Sequence, residues 1–201
     1  MRGVGNAIDF IAGLRQASDL GDVEVGRNVV VLGDGMTAID AAVQSKKLGA
    51  ENVTIVYHRG QQQMPASRDE QRFAQQHGVL IRTWSVLQAL HSANGRLAWA
   101  TFADVAGRDG HLAETGTTWT IEADMLLKAI GQTLDASVVP GIELQGGRIR
   151  TDADGRTSIA KVWAGGDCRF GGRDLTVEAV QHGKLAAESM HRAFDAAPPA
   201  R

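Results

Sequence analysis

The stretch from Asn28 to Arg59 constrains this chain more than any other. An apolar run, Val29-Val30-Val31-Leu32, leads into Gly33-Asp34-Gly35-Met36-Thr37-Ala38, an amphipathic segment to Leu48, Gly49 as a stop, and a second apolar run from Val53 to Tyr57. That order spells strand, tight turn, helix, strand. The turn fits G-x-G-x-x-A, in which Gly33 permits the sharp bend, Gly35 leaves the backbone approachable, and Ala38 keeps the helix close to the strand. A helix that starts just after Gly35 aims its unpaired N–H groups and the positive end of its dipole into the turn, a place suited to a diphosphate. A plain βαβ turn without ligand shows the same glycines. The legible strand before and helix after are the context that the binding motif requires.

The end of the second strand reads Tyr57-His58-Arg59-Gly60, with no carboxylate. A dinucleotide fold that selects NAD places an acidic residue there for the ribose 2′-hydroxyl, whereas a 2′-phosphate calls for cations. The reading is therefore NADP(H), with Arg59 as the fork on the phosphate and His58 as a weaker, pH-dependent helper. A solvated loop charge is the other account of Arg59.

Composition sets outer limits. A chain of 201 residues with 43% hydrophobic content can build one or two cored domains. A net charge of −2 argues against a nucleic-acid or anionic-membrane surface. No apolar run approaches the ~18 residues of a membrane span, and no signal-peptide core follows Met1-Arg2-Gly3. The single cysteine, Cys168, leaves no internal disulfide, C-x-x-C relay or cysteine metal cluster. The six histidines show no spacing with carboxylates that suggests a metal. A soluble, cytoplasmic protein is expected.

Along the chain, Asn6 to Leu20 predicts a short amphipathic helix with Asn6 as N-cap and Gly21 as stop, standing before any strand. Ser67-Arg68-Asp69-Glu70 is a capping box for a helix to about His77. From Val79 to Ala123 the period becomes two: Leu80–Trp84, Val86–Leu90, an Asn94-Gly95 turn, Arg96–Phe102 and Thr117–Ile121 predict an antiparallel meander. Trp84, Trp99 and Trp119 read as its packing residues, and 107–116 as a mobile tip. Asp124 to Ile130 is a continuous apolar strand of the parallel type. It ends at Gly131-Gln132, which is either the ligand edge of the sheet or an ordinary strand exit. The turn-rich 134–156 holds one or two short strands around Ile142 and Ile149. Lys161 to Asp167 then reads as a strand ending in Gly-Gly-Asp. Asp167 either accepts a hydrogen bond from a polyol hydroxyl or merely starts a loop. A helix from Thr176, its N-cap, to about Phe194 precedes a frayed tail.

Val30 to Arg59, with Met64-Pro65-Ala66, resembles the pyridine-nucleotide domain of the flavoproteins that include the glutamate synthase small subunit and the flavin-containing portion of dihydropyrimidine dehydrogenase. Ala129-Ile130-Gly131-Gln132 resembles the strand-end motif of that family. Val162 to Lys184, with Ala164-Gly165-Gly166-Asp167 and Thr176-Val177-Glu178-Ala179-Val180, resembles its last flavin-binding motif. The resemblance implies an α/β protein: a Rossmann-like NAD(P)-binding domain with a small antiparallel β-meander over residues 24–131, and over 1–23 and 132–201 the remnant of an FAD-type Rossmann-like domain.

On that template Gly33, Gly35, Met36, Thr37 and Ala38 hold the nucleotide pyrophosphate, and His58 and Arg59 face the 2′-phosphate. The family commonly shows two arginines there, so His58 is a departure. Gly131 and Gln132 lie at the ligand edge, Gly166 and Asp167 meet the flavin ribityl and pyrophosphate, and the backbone of Thr176 and Val177 approaches the isoalloxazine ring. The implied chemistry is hydride transfer from NADPH to FAD and onward passage to a partner's centre, with no catalytic side chain required. The family's preceding iron-sulfur region and first FAD-binding glycine turn have no counterpart here. The expectation is a fragment of a larger reductase, the remaining FAD site and the iron-sulfur clusters coming from a missing N-terminal region or a partner subunit. The other expectation is a non-catalytic NAD(P)-binding or assembly module that no longer holds FAD.

Overall fold

The computed structural model describes residues 1–108 and 111–195, which form two compact units that part between Gly131 and Gln132. The first is built on a five-stranded parallel sheet. Its strands are β1 (Val4–Asn6), β2 (Asn28–Gly33), β3 (Asn52–Val56), β4 (Val79–Arg82) and β8 (Met125–Ala129), in the spatial order β1-β8-β2-β3-β4. Helices α1 (Ala7–Gln16), α2 (Met36–Lys47) and α3 (Arg68–Gln76) accompany it. A separate antiparallel sheet follows: β5 (Ser85–Ala93), β6 (Arg96–Arg108) and β7 (His111–Glu122).

Two clusters of buried side chains explain why the strand sequences are apolar without alternation. Val29, Val31, Val53, Ile55, Tyr57 and Leu127 pack with Ala38, Ile39, Ala42 and Ala74 from the helices. Val30, Val56 and Leu126 point the other way, against Leu97, Ala100 and Phe102 of the antiparallel sheet. The parallel sheet is thus covered on both faces, which is what continuous runs of Val, Ile and Leu signify. Burying each of Val29, Val30 and Val31, all at most 2% exposed, contributes about 2 kcal/mol.

Several expectations are corrected here. Residues 1–23 lie in the first compact unit. β1 pairs in parallel with β8, Val4 opposite Leu126, and Ile11 and Phe10 pack on the core of the first unit. Helix α1 is preceded by a strand and stops at Gln16, with a 3₁₀ turn at Leu20–Asp22 in place of its last turn. Asn6 stands at the N-cap, but its side chain donates to Asp9 at 2.8 Å and does not cap the backbone. Val79–Arg82 alternates in sequence yet joins the parallel sheet beside β3, because Val79 and Ile81 face the helix-side core. The meander therefore has three strands. It runs far into the supposed tip, to Arg108 on one side and from His111 on the other, and Asp109 and Gly110 lie outside the described residues. The Asn94-Gly95 turn is present, with φ of 52° and 76°, the two positive values that a type I′ hairpin needs. Trp119 stacks on Phe102 with ring centroids 4.6 Å apart, whereas Trp84 and Trp99 remain 37% and 42% exposed.

The second unit holds the hairpin β9 (Leu144–Gln145) and β10 (Arg148–Ile149), a 3₁₀ turn at Gly166–Cys168 and the long helix α4 (Thr176–Asp195). Lys161 to Asp167 is not a strand; only Trp163 makes a bridge, to Arg156. Thr176 is the first helical residue and not the cap. Leu175 opens the helix, its carbonyl accepting from Glu178 and Ala179 at 3.1 and 3.0 Å. Among the described residues of this unit, Ala186 is the one buried apolar side chain. The expected tail, 196–201, lies outside the described residues. No helix among the described residues is long and apolar enough to cross a membrane.

Candidate functional site: a glycine turn at the sheet edge

Strand order reverses at β2, with β3 and β4 on one side and β8 on the other, and such a switch point is where open α/β sheets take ligands beyond their carboxyl ends. Gly33, Asp34 and Gly35 turn the chain there. The two glycines differ physically. Gly33 has φ +153° and pairs with Ala129 of β8; a Cβ built on it would lie 2.9 Å from the Ala129 Cβ and closer still to the Ala129 carbonyl oxygen. Gly33 is therefore required by the packing of β2 on β8. Gly35 has an ordinary φ of −94°, and a Cβ there would meet nothing within 4 Å. Among the described residues, no contact requires a glycine at 35; what it preserves is open space above the turn.

Helix α2 begins in that space. Its N-cap, Gly35, has no side chain to cap it, and the carbonyl of Gly35 receives Ala38 and Ile39 at 3.0 and 3.2 Å. Met36 and Thr37 thus contribute the opening N–H groups of the helix, which have no intrahelical acceptor. Met36 is 44% exposed, Thr37 is half-buried, and Ala38 is fully buried beneath them, so the helix sits close against the sheet. Such an end can receive an anion through its N–H groups and dipole.

His58 and Arg59 follow β3 at the same edge, and both are exposed. No carboxylate pairs with Arg59 among the described residues. Its carbonyl accepts the Trp84 N–H at 3.2 Å, which fixes the backbone while leaving the guanidinium to solvent. The His58 ring stands edge-on to Tyr57, centroids 4.8 Å apart. Gly131, two residues beyond Ala129, has φ +105° and open space around it. The eight predicted residues of the first unit therefore share one edge of the parallel sheet.

Some contributors were not visible in the sequence. The loop from Gly60 to Ala66 is tied to the glycine turn by Ala66 N–H donating to the Asp34 carbonyl at 3.1 Å. Tyr57, 4% exposed, donates its hydroxyl to the Gln63 carbonyl at 3.2 Å. Burial pushes the Tyr57 hydroxyl above the ordinary tyrosine range, the nearby Asp34 carboxylate adds to this, and Arg59 opposes it. The phenol stays neutral and remains a donor at physiological pH. Gln71, 5% exposed, donates to the Ala66 carbonyl at 2.8 Å from inside a helix in which Phe73 and Ala74 are the apolar residues. The one available signal was Tyr57 itself, a polar-tipped aromatic at the end of an apolar strand. Gln71 had none, since its burial depends on what α3 packs against.

The second unit gathers others. Gln132 and Asp167 line one groove of about 520 Å³ together with Arg148, Asp135 and Cys168. Gly166 has φ +76° and is buried, while Asp167 is exposed. Thr176 and Val177 open α4, Val177 being 77% exposed. Nearby, Arg173 donates from its backbone at 3.1 Å and its side chain at 2.6 Å to Glu178, holding that carboxyl below the usual carboxylate range. No group of three or more His, Cys, Asp and Glu side chains able to hold a metal occurs among the described residues.

A parallel sheet flanked by helices, with a glycine turn at its switch point, defines the class of Rossmann-like α/β proteins. Within that class, residues 1–183 match the pyridine nucleotide-disulphide oxidoreductase family, and the chain belongs to it. It is 32% identical over 181 residues to the glutamate synthase (NADPH) small chain of Escherichia coli, covering 82% of this chain and 38% of that one. It is 30% identical over 191 residues to the NAD-dependent dihydropyrimidine dehydrogenase subunit PreT of the same species, covering 95% and 42%. The chain thus spans about two fifths of the length of each relative. The fold is similar to that of T. acidophilum thioredoxin reductase, with a TM-score of 0.74 at 19% identity over 97% of this chain and 59% of that one.

Proposed function

We propose that this chain is the nicotinamide-nucleotide module of an NAD(P)H-dependent flavin oxidoreductase. The diphosphate of the dinucleotide lies above Gly35 against the Met36 and Thr37 N–H groups, with Gly33 and Ala38 shaping the turn beneath it. Arg59, assisted by His58, reads the adenosine 2′-phosphate. Gly131 borders the same edge. In the second unit, Gln132, Gly166 and Asp167 meet the polyol and phosphate portion of FAD, and the backbone at Thr176 and Val177 approaches its ring. When both cofactors are bound they supply hydride transfer from nicotinamide C4 to flavin N5. The residues of this chain orient, exclude and polarise; none is needed as general acid or base.

The observation that carries this reading is the contrast at the turn: Gly33 is demanded by Ala129, but Gly35 guards a volume that the protein leaves empty, over an uncapped helix start. The names of the two relatives support a nicotinamide cofactor and divide on which one, NADPH in one and NAD in the other. The absence of a carboxylate at 58–60, and of a carboxylate partner for Arg59 among the described residues, favours NADP(H). For the flavin, the groove beside Asp167 offers polar partners, but a unit in which Ala186 is the one buried apolar side chain among the described residues supplies only part of a site. The rest of the FAD site, and the centre that finally takes the electrons, belong to a further region or a partner subunit bearing iron-sulfur clusters. The observation about Ala186 also favours a second reading, in which this chain binds NAD(P) and docks without holding FAD.

Two measurements test these statements. Arg59→Ala should weaken NADPH by about tenfold to a hundredfold, the worth of a charge-assisted fork on a phosphate, and leave NADH nearly unchanged. Equal losses for the two would remove the NADP assignment. Purified protein that is yellow, with flavin absorbance, supports the oxidoreductase module. Colourless protein whose tryptophan emission is quenched by NADPH supports the binding-only reading.

A further inference from the structure

The turn that carries Asp167 is held from behind by a side chain with no assigned role. Gly165 passes so near α4 that a Cβ on it would lie 2.8 Å from the Cβ of His182. Gly166 follows with φ +76°, and its carbonyl is crowded by Gly172, where no Cβ could be accommodated. In that constrained geometry the Gly166 N–H donates to Nδ1 of His182 at 3.1 Å. Nδ1 accepts only where it carries no hydrogen, which assigns the ring proton to Nε2 in this arrangement. That nitrogen faces Glu178 Oε1 at 3.9 Å; both side chains are largely buried, 13% and 16% exposed. Glu178 is fixed in turn by the two bonds from Arg173. The Gly166 N–H is thus the hydrogen bond that holds the imidazole, whose one accepting atom is spent on the amide that precedes Asp167.

We propose that His182 is a positioning residue: by accepting the Gly166 N–H it sets the direction of the Gly166–Asp167 turn, and so the placement of the Asp167 carboxylate toward a polyol. The last step rests on the reading that this turn meets the flavin. The latch itself does not. It acts through hydrogen-bond direction, since the chain has to be glycine at 165 and 166 to come within reach of the ring, and any acceptor at the Nδ1 position would serve.

The variants His182→Asn, His182→Gln and His182→Ala separate these elements. Asparagine places an oxygen on the same carbon that bears Nδ1, glutamine reaches one bond farther, and alanine offers nothing. Nitrogen-15 NMR of the whole chain should show His182 with its proton on Nε2. Hydrogen exchange at the Gly166 amide should be slow in the parent, slow in the asparagine variant, and accelerated about tenfold or more in the other two, the loss of one buried bond. Intrinsic helix propensity ranks alanine above asparagine, so a merely structural effect of position 182 would give the opposite order. FAD affinity should follow amide protection, falling about tenfold with alanine or glutamine and recovering with asparagine. Equal exchange in the parent and alanine variants, or rescue by glutamine as full as by asparagine, overturns the proposal. Should the parent take up no FAD, the exchange data still decide the latch, and what falls is the reading that this chain holds FAD by itself.

Discussion

Gly35→Val should abolish tight binding of both NADPH and NADH while the protein stays folded. The added side chain enters the volume over the start of α2, where a Cβ meets nothing of the protein, so it collides only with a ligand. Loss of an N-cap glycine costs about 1 kcal/mol of stability. Displacement of the diphosphate from the helix N–H groups should cost about a hundredfold in affinity, close to 3 kcal/mol. Calorimetric titration beside thermal denaturation reads both. A variant that titrates like the parent would show that the empty space above residue 35 has no ligand, and the nucleotide reading would go with it.

The neighbouring substitution, Gly33→Ala, should reverse the pattern. A Cβ at that position presses on the backbone and Cβ of Ala129 across the β2–β8 pair, and φ +153° is a conformation that alanine avoids. Overpacking and backbone strain together are expected to destabilise by about 3 kcal/mol, a fall in melting temperature on the order of 10 °C. Because the strain lies between two central strands, it cannot be relieved by moving a side chain. If Gly33→Ala melts with the parent, the close approach of β2 to β8 is not as described. The two substitutions, two residues apart, therefore separate what the fold needs from what the ligand needs.

The legibility of these features in the sequence varied with how local their causes are. The β2-α2-β3 unit is readable because each boundary has a local cause: glycines at the turn, Ala38 beneath it, Gly49 at the helix stop. The Ser67–Glu70 capping box was readable for the same reason, and its reciprocal bonds are present at 3.2 and 2.6 Å. Val79–Arg82 reads as part of the meander because alternation describes a half-buried strand in either kind of sheet; only its partner, β3, decides which. Strand β1 is not legible in the sequence because it is three residues long, and its identity as a strand comes from pairing with β8, more than 120 residues away. Lys161–Asp167 looked like a strand from composition, yet it makes a single bridge and follows the surface of α4 instead.

From the order of residues alone came the class of fold, the position of the glycine turn, and the short set of side chains at the strand ends. These are set by contacts a few residues apart, where periodicity and turn chemistry act directly. The tertiary structure decided which of two look-alike glycines is held by packing and which faces empty space. It also decided that Tyr57 and Gln71 brace the loop beside that space, and that His182 stands behind Asp167. Each of those depends on atoms brought together from distant parts of the chain, and no local pattern of hydrophobicity or charge encodes the distance between them.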